Sequence, residues 1–396
     1  MFLDTLGFTN NDLTSKNKAE AKILKLYELE KLLADIFQLI DIELFLSLNL
    51  KNIIKMTLTK DDRTKLISGY IRKAQKEEIS YDDIFSNPSL KIGKNQFLFF
   101  IKPEITIKSD TIRLEDTLEH ILDKIKTFGF QIHAISILSA RYLEKYDIID
   151  QHYGVIGKIS NRGADELSES AKNRFTDVFG IPVKSVKVLG GIQFLNEYKF
   201  FNFHSLDCLW QNSENVKLGG GAYCEKLRMD KETVYLLNGF HPKQLKHFTE
   251  MGRSIAVFNI SGDISWREAR TNFAGATNPM NAAEGSIRRM LLEKKQELGI
   301  PEVSQSFNGI HLSAGPVEAL IELRRFGSDF SAKNGEKRLA DFPFGRLLTE
   351  RFKGDTDKIL ENPTVMVSGK PVSVFDLTEE KDSDEAMALL EKYVLP

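Results

Sequence analysis

The apolar positions of the chain fall into segments of different period. Over residues 19–50, Ile23, Leu26, Leu29, Leu32, Leu33 and Ile36 recur at helical spacing. Residues 1–92, rich in Lys, Glu, Leu and Ile, read as a helical extension whose charge runs form a solvated face. At Phe97 the texture changes. Residues 97–101 are wholly apolar and partly aromatic, stopping at Lys102 and Pro103, which is the pattern of a strand buried on both faces that leads into a loop. Leu114, Leu118, Ile121, Leu122 and Ile125 return to one helical face, closed by Lys126 and Gly129. Residues 131–138 set His133, Ile135 and Ile137 against Ile132, Ala134, Ser136 and Leu138, predicting a second buried strand in which His133 is a satisfied sheet histidine. A helix is expected over 139–151.

Residues 157–238 differ, with short apolar runs at 183–189, 192–203 and 234–237 broken by Gly190, Gly191 and the triplet 219–221. The triplet lacks the following Lys-Ser/Thr of a phosphate loop and reads as a turn. Further on, a helix is expected over 242–251, a strand over 254–260, and a helix over 285–298 stopped by Gly299 and Pro301. Residues 306–311 read as a short segment into a turn. Pro316 then opens a helix with Val317, Leu320 and Ile321 inward. Residues 365–375 resemble a hairpin around Ser368 and Gly369, and 383–393 a final helix.

Composition narrows the class. The chain has 396 residues, enough for about two or three structural units. Fifty-four Lys and Arg against 56 Asp and Glu give a net charge of -2, so the totals imply no broad polyanion-binding surface and no specific nucleic-acid partner. Cys208 and Cys224 make neither a disulfide framework nor a structural zinc site. Residues 1–10 lack the basic start and apolar run of a signal peptide, and residues 32–50 carry Asp35, Asp41 and Glu43, which are costly in a bilayer. A soluble, cytoplasmic protein without a membrane partner is expected. His120, His152, His204 and His247 show no ligand spacing with Cys or carboxylates, so no protein metal site is assigned.

The informative chemistry lies between Arg270 and Glu322. Arg270, Thr277, Arg288, Asn308 and His311, with Glu322 downstream, are the residue types that phosphoryl transfer through a protein nucleophile needs. Arginine forks stay charged and grip phosphate oxygens bidentately. A neutral imidazole can attack in line if a carboxylate holds its other nitrogen. Glu322 lies eleven residues after His311 on the helix opened by Pro316, a spacing that lets it reach back as that partner.

Thr277-Asn278-Pro279, Gly285-Ser286-Ile287-Arg288 and Asn308-Gly309-Ile310-His311-Leu312-Ser313 resemble, in order and spacing, the signature segments of nucleoside diphosphate kinases. Upstream, residues 97–103 resemble that family's first strand with its lysine, and His152-Tyr153 the tyrosine-bearing end of its second helix. The resemblance implies that His311 is the phosphorylated nucleophile and Glu322 its partner, with Lys102 also catalytic. It implies that Lys102, Tyr153, Arg270, Thr277, Arg288 and Asn308 contact phosphates or ribose, and that Ser313 stabilises the histidine. Phe240 or His241 is the weaker candidate for stacking on the base. The implied fold is α+β, a ferredoxin-like βαββαβ antiparallel sheet covered by helices. It would be split into 93–156 and 239–330, flanked by the N-terminal extension 1–92 and the C-terminal extension 331–396, and interrupted by an inserted subdomain at 157–238. NTP and NDP are the implied substrates, Mg2+ enters with the nucleotide phosphates, and a homo-oligomer is expected.

The chain departs from the family pattern at Glu104, where the family has aspartate, and at Ala314, where an acidic residue usually follows the serine. The interval from Arg270 to Gly275 is one residue longer than usual, leaving Arg267 as a substitute. Extra residues lie at 290–300. Two rivals therefore stand beside the kinase reading. One is a nucleotide-binding regulatory or scaffolding protein that keeps the fold; the other is a histidine phosphotransferase with a non-nucleotide acceptor.

Overall fold

The computed structural model describes residues 60–76, 79–229 and 232–394. The chain divides into two compact units, 1–66 and 67–396, and the sheets and the site described below belong to the second. The helix expected over 19–50, the stretch 32–50 and residues 1–10 lie outside the described residues.

The strands, in chain order, are β1 (Tyr81–Ser86), β2 (Asn95–Ile101), β3 (Gln131–Ser139), β4 (Lys187–Gly190), β5 (Asn215–Gly219), β6 (Ala222–Arg228), β7 (Thr233–Leu237), β8 (Ser254–Gly262), β9 (Ile310–Leu312), β10 (Thr364–Val367) and β11 (Lys370–Ser373). Five of them form one sheet in the order β1-β3-β8-β2-β9, with every pairing antiparallel. The fold is thus a mixed α and β structure built on antiparallel pairing. Two of these strands differ from the sequence reading. β1 lies in a segment expected to be helical, and β9 begins at the end of a short segment expected to lead into a turn. Helix does occur upstream at Lys60–Ala74, where Ile67 and Ile71 are buried.

Both faces of the sheet are covered, which is why β2 and β8 are apolar at nearly every position. On one face Phe97, Phe99 and Ile101 of β2 and Phe258 and Ile260 of β8 meet Leu118, Ile121 and Ile125 of the helix Leu114–Thr127, joined by Trp266, Phe273, Ile287 and Leu291. On the other face Leu98 and Phe100 meet Tyr142, Leu143, Ile148 and Ile149, together with Val317, Leu320, Leu323 and Phe326 of the helix Pro316–Gly327. The C-terminal helices Pro343–Phe352 and Ser383–Tyr393 extend that second core through Leu348, Phe352, Ala386 and Leu390. The helix expected over 139–151 is two helices, Ala140–Lys145 and Ile148–Tyr153, broken at Asp147 with its φ of 51°. That break re-aims His152 and Tyr153.

Asp382 fastens the last helix to the start of β2. Its Oδ1 accepts from Asn95 Nδ2 and from the Trp266 N–H, both at 2.9 Å, and its Oδ2 lies 2.6 Å from Lys94 Nζ. His133 is buried in β3 with Nε2 2.7 Å from Ser261 Oγ, the satisfied sheet histidine that the alternation predicts.

Between the helix Ile148–Tyr153 and Phe240 the chain builds a second sheet, β4-β7-β6-β5, in which only β4 and β7 run parallel. Tyr235 and Leu237 of β7 face Phe175 of the helix Glu169–Phe179. Val234 and Leu236 face Phe194, Leu206 and Trp210 on the helices Gly191–Glu197 and Phe203–Gln211. The triplet 219–221 closes the β5–β6 hairpin, with Gly221 at a φ of 68°. Gly190 and Gly191 serve close packing, since a Cβ on either would strike the backbone of Ile159 and Ser160 or of Asn238.

Among the described residues no helix is long and apolar enough to cross a membrane. The hairpin at β10 and β11 and the helices starting at Pro316 and Ser383 stand where the sequence pattern puts them. Phe258 sits at the centre of the sheet, fully buried and edge-on to Phe99 at 5.6 Å. Phe258→Ala is expected to cost about 3–5 kcal/mol of unfolding free energy, read by urea denaturation; a cost below about 1 kcal/mol would show that this is not the core's centre.

Candidate active site

β9 is only three residues long, and its burial alternates. Ile310 and Leu312 enter the core while His311 faces the other way, with its side chain 19% exposed. The register pairs His311 with Phe100 of β2, and cross-strand partners share a face. The two rings stack at 4.6 Å and 19°. The approach to β9 is equally constrained. Gly309, at a φ of 81°, donates its N–H to Glu104 Oε1 at 2.8 Å and accepts from the Lys102 N–H at 2.9 Å. The other oxygen of Glu104 lies 2.7 Å from His247 Nε2. Glu104 therefore ties the loop after β2 to the strand that carries His311.

Behind His311 stands Glu322, 1% exposed on the helix Pro316–Gly327. Its Oε1 lies 2.9 Å from His311 Nε2 and 3.2 Å from His152 Nδ1. The two imidazole rings are 4.9 Å apart and perpendicular. Burial by itself would raise Glu322, but the charge and contact of His311, with His152 behind, hold its carboxyl down to about 2. Burial pushes His152 the other way for a base, down to about 3, against the attraction of Glu322. With Nε2 turned to the carboxylate, Nδ1 is the ring nitrogen of His311 not engaged by it.

A cavity of about 820 Å³ opens in front of these groups, lined by His311, His152 and Phe100 and by Lys102, Arg270, Thr277, Arg288, Asn308, Tyr153 and Phe240. Two of its cations, Arg288 and Lys102, are held by neutral groups. Arg288 donates to the carbonyls of Gly275 at 2.6 Å and Ile310 at 3.2 Å, and its buried Nε has no partner among the described residues. Burial lowers this guanidinium to about 10, with Arg270 adding repulsion. Lys102 donates to Asn308 Oδ1 at 2.9 Å, and burial lowers its ammonium too. Asn308 is locked in turn by donating Nδ2 to the carbonyls of Thr277 and Gln305.

Other residues stand apart. Arg270 reaches the cavity but pairs with Glu379 at 3.1 Å and Glu380 at 3.3 Å from the C-terminal segment. Arg267 is not on the cavity wall; its side chain is 74% exposed and 3.7 Å from Glu380. Ser313 is fully buried outside the cavity, where its Oγ accepts from the Leu98 N–H at 3.0 Å and so pins β9 to β2. Phe240 packs against Trp210 and Tyr223 at the cavity's edge. His241 is buried beneath Tyr153, 5.8 Å between rings, and is not on the cavity wall. Burial pushes the Tyr153 phenol up.

Sequence spacing singled out His311, Glu322 and the cations, but it set His152 aside and gave no role to Phe100, Glu104 or His247. The one signal for His152 was its place beside Tyr153 at the end of a helix. Neither protein-family models nor curated proteins match the chain.

The acid side of the stability curve follows from the two depressed groups. His152 is neutral when folded, so the unfolded chain takes up its proton first, and stability falls as pH drops from 6.5 towards about 3. Glu322 adds a loss as pH drops from 4.5 towards about 2. Thermal melts from pH 7 to pH 3 should show His152→Gln with a shallower decline than the parent; an identical slope would remove His152 from this account.

Proposed function

We propose that the protein is a nucleoside diphosphate kinase-like phosphotransferase that moves the γ-phosphoryl group of an NTP to an NDP through phosphohistidine on His311. The observation that carries the reading is His311 at the floor of a cation-lined cavity, Nε2 against a buried carboxylate and Nδ1 not engaged by it. Support for the fold comes from the antiparallel order β3-β8-β2-β9, with the helices Leu114–Thr127 and Ile287–Glu293 on one face, which matches a ferredoxin-like βαββαβ core with β1 added at its edge. The segment 157–238 would be an addition at the nucleotide cleft.

In the first half-reaction the Nδ1 lone pair attacks the γ-phosphorus. An N–P bond forms as the bond to the β,γ-bridging oxygen breaks, and NDP leaves with that electron pair. In the second, a terminal oxygen of another NDP takes the phosphoryl group and restores the imidazole. Glu322 stabilises the Nε2–H tautomer that leaves Nδ1 unprotonated. Arg288 and Lys102 face the charge that spreads over the equatorial oxygens, in a site whose burial strengthens both. Mg2+ would enter as part of the nucleotide, held by its phosphates.

One observation favours the reading of a nucleotide-binding protein with impaired catalysis. Arg270 is already neutralised by Glu379 and Glu380.

Incubation with γ-labelled ATP and Mg2+ should give acid-labile, alkali-stable label on the protein that added GDP or another NDP removes. His311→Ala should take no label and show no turnover; full activity in that variant would exclude the mechanism. Glu322→Gln should slow transfer by roughly 10²-fold or more while nucleotide still binds. Arg288→Ala should lower kcat/KM by about 10²–10³-fold, and unchanged kinetics would remove it from the site. ATP binding without label would favour the impaired reading, and label that no NDP discharges would favour a different acceptor.

A further inference from the structure

We propose that His152, His311 and Glu322 form a binding site for a divalent transition-metal ion of the zinc class, separate from any Mg2+ that accompanies a nucleotide. The three ligand atoms come from three elements, the helix Ile148–Tyr153, β9 and the helix Pro316–Gly327, and lie within 4.8 Å of one another. Two imidazoles and one carboxylate are the donor set that zinc, cobalt and ferrous iron accept and that Mg2+ disfavours.

The second observation is the state of the polar atoms. Glu322 is almost fully buried, yet among the described residues neither its oxygens nor His311 Nε2 completes a hydrogen bond. The ring nitrogens approach Oε1 to 2.9 and 3.2 Å. In a tetrahedral zinc site with bonds of about 2.0–2.1 Å, ligand atoms are roughly 3.4 Å apart. The two spacings to Oε1 reach that value with shifts of a few tenths of an ångström. The buried carboxylate of Glu322 supplies negative charge that draws in a cation.

Three protein ligands leave a coordination position open. His152 and His311 both line the cavity, so that position faces it and would hold water or an anionic oxygen. A bound ion would take Nε2 of His311 and withdraw electron density from the ring, weakening Nδ1 as a nucleophile. That consequence, inhibition of phosphoryl transfer by zinc, rests on the phosphotransfer reading; the binding itself does not.

The test uses untagged full-length protein stripped with chelator. Titration with Co2+ should give visible d–d bands of a four- or five-coordinate ion at one equivalent, and Zn2+ should erase them. X-ray absorption of the zinc-loaded protein should show two imidazoles in the first shell. His152→Gln and Glu322→Gln should each weaken Zn2+ binding by at least tenfold, while His204→Ala, an exposed histidine elsewhere on the surface, should not. Circular dichroism establishes that each variant is folded, and His152→Asn stands in if the first substitution fails that check. Absence of the cobalt bands in the parent protein, or their persistence in both ligand variants, would overturn the proposal. Labelling of His311 from ATP in the chelated protein is scored separately, so loss of one result leaves the other readable.

Discussion

The burial of Glu322 is the constraint around which the site is arranged. A carboxylate removed from water is tolerated only where other groups replace its hydration, and here two imidazoles approach one of its oxygens, at 2.9 and 3.2 Å. Each imidazole is fixed by what lies beneath it. His311 stacks on Phe100 because β9 pairs with β2 in one register, and a slip of one residue would turn it into the core. His152 is delivered by a six-residue helix that starts after the left-handed Asp147. Ser313 and Glu104 hold the register at either end of β9, through Leu98 and Gly309 respectively. Removing any of these supports would loosen the carboxylate's surroundings before it touched the chemistry.

The cations follow a complementary logic. Among the described residues neither Lys102 nor Arg288 forms an ion pair; they are held by an amide oxygen and by backbone carbonyls. Such partners fix position without cancelling charge, so the cavity keeps a positive field directed at whatever occupies it. The buried Nε of Arg288 adds a donor that no group among the described residues satisfies.

Much of this was legible in the sequence because it depends on local periodicity. β2, β3, β8 and the helix Leu114–Thr127 announce themselves by alternation or by a single apolar face, and the helix Pro316–Gly327 by its opening proline. The spacing of eleven residues between His311 and Glu322 carried enough geometry to pair them. β9 escaped because three residues cannot display a period, and β1 because Asp82 and Asp83 in a Lys- and Glu-rich stretch mask an edge strand whose partner lies far along the chain. His152 was set aside for a different reason. Ligand spacing is a local signal, whereas His152 and His311 are 159 residues apart and meet only through the tertiary fold. Arg270's neutralisation was equally hidden, since Glu379 and Glu380 lie beyond any motif that includes the arginine.

That last contact sets apart one wall of the cavity from the others. Glu379 and Glu380 sit between two anchored elements, the helix Val374–Thr378 and the helix Ser383–Tyr393. Glu380 donates its N–H to the Ala314 carbonyl at 2.9 Å and adopts a φ of 56°, a conformation a non-glycine residue keeps only when its surroundings impose it. The two carboxylates are therefore presented to Arg270 by the framework instead of finding it by chance on a mobile surface. An anion entering the cavity meets Arg288 and Lys102 with their charge available and Arg270 with its charge already matched. The binding energy for a polyphosphate is accordingly concentrated beside His311, and the Arg270 side contributes only as far as a phosphate competes with two carboxylates already in place.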